Sequence, residues 1–483
     1  MDQIIKLLDQ FIQHNILTDE LEKNLKTTLQ RTLADTSFRL NLGRDLTFWQ
    51  NIYTILIDLE NKNTLLLSIT CLIELIKLAR NVTAENREGQ LLALNTKVIY
   101  ALTPLILHYL PHMDESSMMV VRVCTQAACN MVTGNEMVLN IVWTHWCKEQ
   151  HPFLWNKVIE ANDKDTVTSG LVLISQCIRN NKHRCEMLVK SDGGLAYLQA
   201  VLMEIDRSHT EESNQHFELG YIIVSELFKY GYFVDIMDAL KEDSNNRDEI
   251  NQNQMVIIKL LDSTLYKHPD ISVPLTMIDY GKLGDVLCLL SKQACTVIEH
   301  AVVSHRDILS NLDLHTVSLM YTCLVLLLQI VNLLLETTIN DMKSSLMDRN
   351  GLIIIIDLLR QCETMVDWND KEKSRIGFNF VKREIVRCIG LLCYKDKIVQ
   401  DKVRTSGGLP LILNQMKIDD NNPYIREYAT VTLRHLLEDN FENQQMIAEL
   451  TPIQAVQNEI LDEMGIHASI IDGKLQLEPT TKK

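Results

Sequence analysis

Turn-forming residues are scarce in this chain. Seventeen glycines and nine prolines occur in 483 residues, roughly half of ordinary usage. So few breakers exclude an all-β protein built on tight turns, and also collagen-like sequence. A hydrophobic content of 46% excludes a disordered chain. No CxxC pair occurs among the twelve scattered cysteines, so buried thiols in a reduced compartment are expected rather than a disulfide framework. The sequon Asn81-Val82-Thr83 has no role in such a compartment. The usual marks of chemistry are also missing. Gly281-Lys282 and Gly473-Lys474 lack the earlier glycine and the following Ser/Thr of a phosphate loop, and there is no GxGxxG, GxSxG or HExxH. No catalytic residue, cofactor site or metal site is assigned. A net charge of −16 argues against a nucleic-acid partner. Asp2, Lys6 and Asp9 interrupt the apolar start, which does not read as a signal peptide.

What the chain does contain is helical periodicity. In FVKREIVRCIGLLC the apolar residues Phe380, Val381, Ile385, Val386, Ile389, Leu392 and Cys393 recur at threes and fours, opposite Lys382, Arg383, Glu384 and Arg387. LLLSITCLIELIKLAR and YIIVSELFKYGYF follow the same rule. LIIIIDLL has strand propensity, but lacks alternation and is read as helix. The uncharged stretch Leu314–Leu335 is long enough to span a membrane. Its polar residues, and the absence of flanking Lys/Arg clusters, favour a buried helix instead.

The pattern also repeats. Asn81, Asn130 and Asn180 close successive helices 49 and 50 residues apart, and Leu391 and His435 lie 44 apart. SDGGLAYL, RNGLIIII and SGGLPLIL each set glycine before an apolar run. These periods predict an all-α, armadillo/HEAT-like α-solenoid of roughly seven to ten helical repeats. The expected organisation is an N-terminal helical array over 1–360, a polar hinge or loop over 361–377, C-terminal helical repeats over 378–465 and a frayed tail over 466–483.

Three features could carry function. WTHWCKEQHPFLW groups His145, Cys147 and His151, but no second ligand pair completes a zinc module, and Trp143, Trp146 and Trp155 suggest packing or a partner contact. Between Lys371 and Arg404, ten Lys/Arg face only four Asp/Glu. Lys382, Arg383 and Arg387 form a ridge there that reads either as a solvated helix face or as a dock for an acidic partner. Asp419, Asp420, Asn421 and Asn422 form a second candidate surface, although Asn422 as cap and Pro423 as first helical residue would be purely structural.

Four ordered blocks then become specific: LCYK–(x)5–QDKV (Leu392–Val403), GGLPLIL (Gly407–Leu413), IDDNNPYIRE (Ile418–Glu427) and LRHLLEDNxxNQ (Leu433–Gln444). Together they resemble the C-terminal signature of the ataxin-10 family. Tyr428, His435 and Val399 depart from it, standing where tryptophan, an Arg-Asn pair and asparagine are usual. The resemblance implies a non-enzymatic, cytoplasmic, protein-binding scaffold, with perinuclear, centrosomal or midbody placement. Implied roles are neuronal survival, neurite outgrowth, cytokinesis and cilium-associated processes. Implied partners are O-GlcNAc transferase, a G-protein β subunit, mitotic kinases and further copies of the chain. The alternative is an importin-like armadillo cargo adaptor. That class needs Trp-x-x-x-Asn pairs, and none of Trp49, Trp143, Trp146, Trp155 and Trp368 has an asparagine four residues on. An enzyme using His145 or His151 would need convergent polar groups around them.

Overall fold

Helices dominate the computed structural model, as the shortage of glycine and proline requires. It describes residues 2–60, 67–112, 114–149, 153–208, 214–241, 250–267, 274–303, 314–337, 339–372, 380–449, 466–471 and 474–479. Two compact units result, Met1–Asp279 and Tyr280–Lys483. In the first, the long helices Asp19–Ala34, Ile69–Thr83, Glu115–Val132, Lys164–Ile178 and Gln215–Lys229 stack in chain order. In the second, Leu314–Thr337, Val381–Cys393 and Ile425–Leu437 do the same. Shorter helices such as Arg87–Asn95 and Val98–Tyr109 link the rungs and bury their apolar sides against them. The architecture is the expected all-α solenoid.

A shared junction explains the period. Five rungs end in an extended residue, a left-handed residue and a capping side chain: Ala84-Glu85-Asn86, Thr133-Gly134-Asn135, Arg179-Asn180-Asn181, Tyr394-Lys395-Asp396 and Glu438-Asp439-Asn440. The middle residues have φ from +51° to +75°. This turns the chain sharply, and Gly134 is the one member that adopts it without steric cost. Each capping oxygen accepts the backbone N–H three residues on, from Gly89, Val138, Arg184, Val399 and Asn443 respectively. Asn81 and Asn130 both stand five residues before a cap. Asn180 does not; it is the turn residue itself, at φ +52°, and Gln176 holds the equivalent place. Asn81 is buried and donates to Thr32 Oγ1.

A glutamine binds each of two rungs to its successor. Gln90 Nε2 donates to the carbonyls of Thr83, Asn130 and Thr133 at 3.3, 2.9 and 2.9 Å. Gln400 Nε2 donates to Cys393, His435 and Glu438 at 3.4, 2.8 and 3.4 Å. The last carbonyls of a helix have no intrahelical partner. One side chain therefore serves the ends of two helices at once.

Leu314–Thr337 is the single described helix long and apolar enough to cross a membrane, and half of its most apolar window is buried inside the protein. Cys323, Leu324, Leu327, Leu328 and Val331 are all within 1% of full burial. LIIIIDLL lies in the Gly351–Glu372 helix. That helix also takes up residues 361–372 of the expected hinge; residues 373–377 lie outside the described ones. The two units divide at Asp279–Tyr280 instead. All twelve cysteines are free and ten are buried. The expected tail contains a hairpin, in which Ile466–Ile471 pairs antiparallel with Lys474–Pro479. Its register sets Ile466, Ala468 and Ile470 opposite Pro479, Leu477 and Leu475. Residues 480–483 lie outside the described ones.

Replacing Gln400 by leucine should leave three carbonyls short of a donor and destabilise the second unit by about 2 kcal/mol. Urea unfolding followed by circular dichroism checks this; an unchanged midpoint would show that the clasp is dispensable.

Candidate protein-binding surface

The basic ridge lies on the Val381–Cys393 helix, but its charges are engaged within the chain. Lys382 is largely buried, and its Nζ lies 2.6 Å from Asp419 Oδ2 and 3.6 Å from Glu363 Oε1. Arg383 pairs with the buried Glu384 and stacks on the Phe380 ring. Arg387 donates to Glu336 at 2.7 Å, lies 3.7 Å from Glu384, and covers the Tyr428 ring. Asn332, on the neighbouring rung, donates to the carbonyl and carboxylate of Glu384, both at 3.0 Å.

The second surface turns out to be the other half of this arrangement. Phe380 precedes the helix in a left-handed conformation with no side-chain cap. The turn at 419–422 supplies what is missing. Asn422 Oδ1 accepts the Arg383 N–H at 3.2 Å, and Asn421 O accepts the Phe380 N–H at 3.0 Å. Asn422 therefore caps the preceding rung and not its own, because the next helix begins at Ile425 after left-handed Tyr424. Asp420 and Asn421 stay exposed. Burial alone would raise the Asp419 carboxyl. The Lys382 ammonium, with bonds from Asn422 and the Asn421 N–H, instead holds it below the usual carboxylate range.

The tryptophan-rich segment is interior. Trp143, Trp146 and Trp155 are at most 1% exposed, and the Trp146 and Trp155 rings meet edge-on at 4.8 Å. Trp143 Nε1 donates to Arg184 O. His145 approaches Glu149 at 3.0 Å in a short π-helical turn, and burial pushes the Cys147 thiol up to about 12. His151 lies outside the described residues. Among the described residues no three His, Cys, Asp or Glu side chains could hold a metal. Trp49 is also buried, so these four tryptophans offer no ladder to a bound peptide.

One polar constellation escapes sequence reasoning. His216 Nδ1 donates to Glu204 Oε1 at 2.6 Å, and Nε2 lies 2.9 Å from Thr168 Oγ1. Nucleophile, base and orienting acid can adopt such a line. Here a cavity of about 220 Å3 reaches Glu204 and His216 but not Thr168, whose hydroxyl donates to Lys164 O. The group ties three helices together without presenting a nucleophile. Its members are 12 to 48 residues apart and belong to no motif.

Residues 381–478 match the model of the spinocerebellar ataxia type 10 protein domain, which begins at the first residue of the ridge helix. Human ataxin-10 is 26% identical over 431 residues, covering 86% of this chain and 83% of its own. Xenopus tropicalis ataxin-10 is 26% identical over 383 residues, covering 77% and 73%. The Schizosaccharomyces pombe ataxin-10 homolog is 26% identical over 384 residues, covering 74% and 83%. The chain is thus similar to ataxin-10 proteins over most of its length, and its C-terminal part matches their domain. Ataxin-10 proteins are not known enzymes. The three departures from the ataxin-10 signature have physical places. His435 Nδ1 donates to Gly390 O at 2.9 Å, the bond that Asn130 makes to Arg80 O at 3.0 Å in the first unit. Tyr428 lies under Arg387, and Val399 is buried.

Lys382→Met should cost about 2 kcal/mol, since it leaves the half-buried Asp419 and Glu363 carboxylates without their cation, and Asp419→Asn should restore part of that loss. Urea midpoints of the four proteins in this cycle measure the coupling; strictly additive effects would refute it. Asp419 is held low in the folded state. Its contribution is therefore complete above the unfolded value near about 4 and is lost as pH falls through the lower folded value. Asp419→Asn should flatten the acid limb of the stability profile and leave its slope near neutrality unchanged. Tyr424→Gly should stabilise the second unit by about 1 kcal/mol by relieving the left-handed tyrosine, which is 71% exposed; a lower melting temperature would contradict this.

Proposed function

We propose that this chain is a non-enzymatic protein-binding scaffold of the ataxin-10 kind. Its processes are neuronal survival, neurite outgrowth, cytokinesis and cilium-associated work in the cytoplasm, with perinuclear, centrosomal or midbody pools. Its partners are O-GlcNAc transferase, a heterotrimeric G-protein β subunit, mitotic kinases and further copies of itself. Kinship with ataxin-10 over most of the chain supports this reading. Neutralised Lys382, Arg383 and Arg387 favour a structural role for the ridge, so contact is better sought on exposed apolar residues. Ile398 and Phe441 are 79% and 72% exposed, next to the Lys397–Glu442 ion pair at 2.9 Å.

Tagged protein isolated from cells should carry stoichiometric companions that include the named partners. Ile398→Asp with Phe441→Asp should lower their recovery severalfold without changing the melting temperature. Recovery of the chain alone would overturn the scaffold reading. Equal recovery with both proteins would remove this face as the contact.

A further inference from the structure

The sequence suggests a dock for an acidic partner at the basic ridge, yet each ridge cation has a carboxylate of its own. One half-buried guanidinium does not. Among the described arginines that are at least half-buried, Arg80 alone has no carboxylate within ion-pair distance. It stands in the last turn of Ile69–Thr83, beside Glu115–Val132. Its donors meet only neutral oxygens: Gln126 Oε1 at 2.6 Å, and Asn81 Oδ1 at 3.2 and 3.1 Å. Asn130 Nδ2 closes on the Arg80 carbonyl at 3.0 Å. Burial lowers the Arg80 pKa, with no carboxylate acting against it.

Two amide oxygens thus hold a half-buried planar cation in one orientation and leave its charge uncompensated. A guanidinium has five N–H donors arranged to grip a carboxylate in a fork, and the three contacts above leave part of that fork open. Half-buried cations are ordinarily paired. The helix C-terminus supplies some negative potential here, but no hydrogen-bond acceptor of full charge. Lys77, one turn earlier and half-buried, adds a second cation to this side of the helix. Glu74 lies a further turn back and is attended by Lys26 and Lys77. We propose that Arg80, oriented by Gln126 and Asn81, is the anchor of a docking site for a carboxylate side chain of an acidic segment in a partner protein. This rests on the scaffold reading and adds to it the chemistry of one contact.

The probe is a fluorescein-labelled glutamate homopeptide, titrated into the full chain at low ionic strength and followed by anisotropy. The −16 charge of the chain disfavours such a peptide on the surface as a whole, and the variants locate where it binds. Arg80→Gln should weaken binding about tenfold, Arg80→Lys less, and added salt should weaken it further. Arg179→Gln, at an exposed arginine two rungs on, should leave it unchanged. No binding by the wild-type chain, or equal binding by Arg80→Gln, overturns the proposal. A second readout needs no variant: the peptide should protect Arg80 of the wild type from phenylglyoxal, read by mass spectrometry. Unprotected Arg80 in the presence of bound peptide also overturns it. If the peptide fails while companions still copurify from cells, the anchor is wrong and the scaffold reading stands.

Discussion

Everything in this architecture depends on satisfying helix ends. A stack of short helices exposes many carbonyls and N–H groups that have no partner within their own helix. The chain answers with side chains that reach across a junction. Asn86, Asn135, Asn181, Asp396 and Asn440 close the starts of helices. Gln90 and Gln400 close the ends of two at a time. Apolar burial supplies the driving force, but it is nondirectional. The amides decide which rung follows which, and at what spacing.

The ridge follows the same logic with charge. Lys382, Arg383 and Arg387 look like a free basic face when read along one helix. Counter-charges for Lys382 and Arg387 come from other helices and turns: Glu336, Glu363 and Asp419. The two surfaces singled out from sequence are therefore two halves of one joint. That joint lies between rungs within the region shared with the ataxin-10 domain. Blocks such as IDDNNPYIRE thus owe at least part of their form to folding.

Helical type, period and buried thiols are legible in the sequence, because periodicity and composition are local properties. Lack of alternation is enough to place the LIIIIDLL segment in a helix. Other features depend on distance. Nothing near Arg383 announces that Asn422 will cap it from 39 residues away. Asn180 carries the right residue type at nearly the right spacing, yet occupies the turn and not the helix. The hairpin has a local signal of its own. IHASII and KLQLEP flank Asp472-Gly473, a pair typical of two-residue hairpin turns, but the polar character of the chain end masks it and reads as a tail.

Leu314–Thr337 has one more consequence, and it concerns the order of synthesis. The helix is sealed by Val381–Cys393, which begins more than forty residues later in the chain. A ribosome adds about 5–20 residues per second. For several seconds, a segment apolar enough for a bilayer has left the ribosome before its companion exists. The finished protein buries half of this segment's most apolar window, and the nascent one buries none of it against that companion. During that interval the segment's apolar surface is open to any binder of apolar helices.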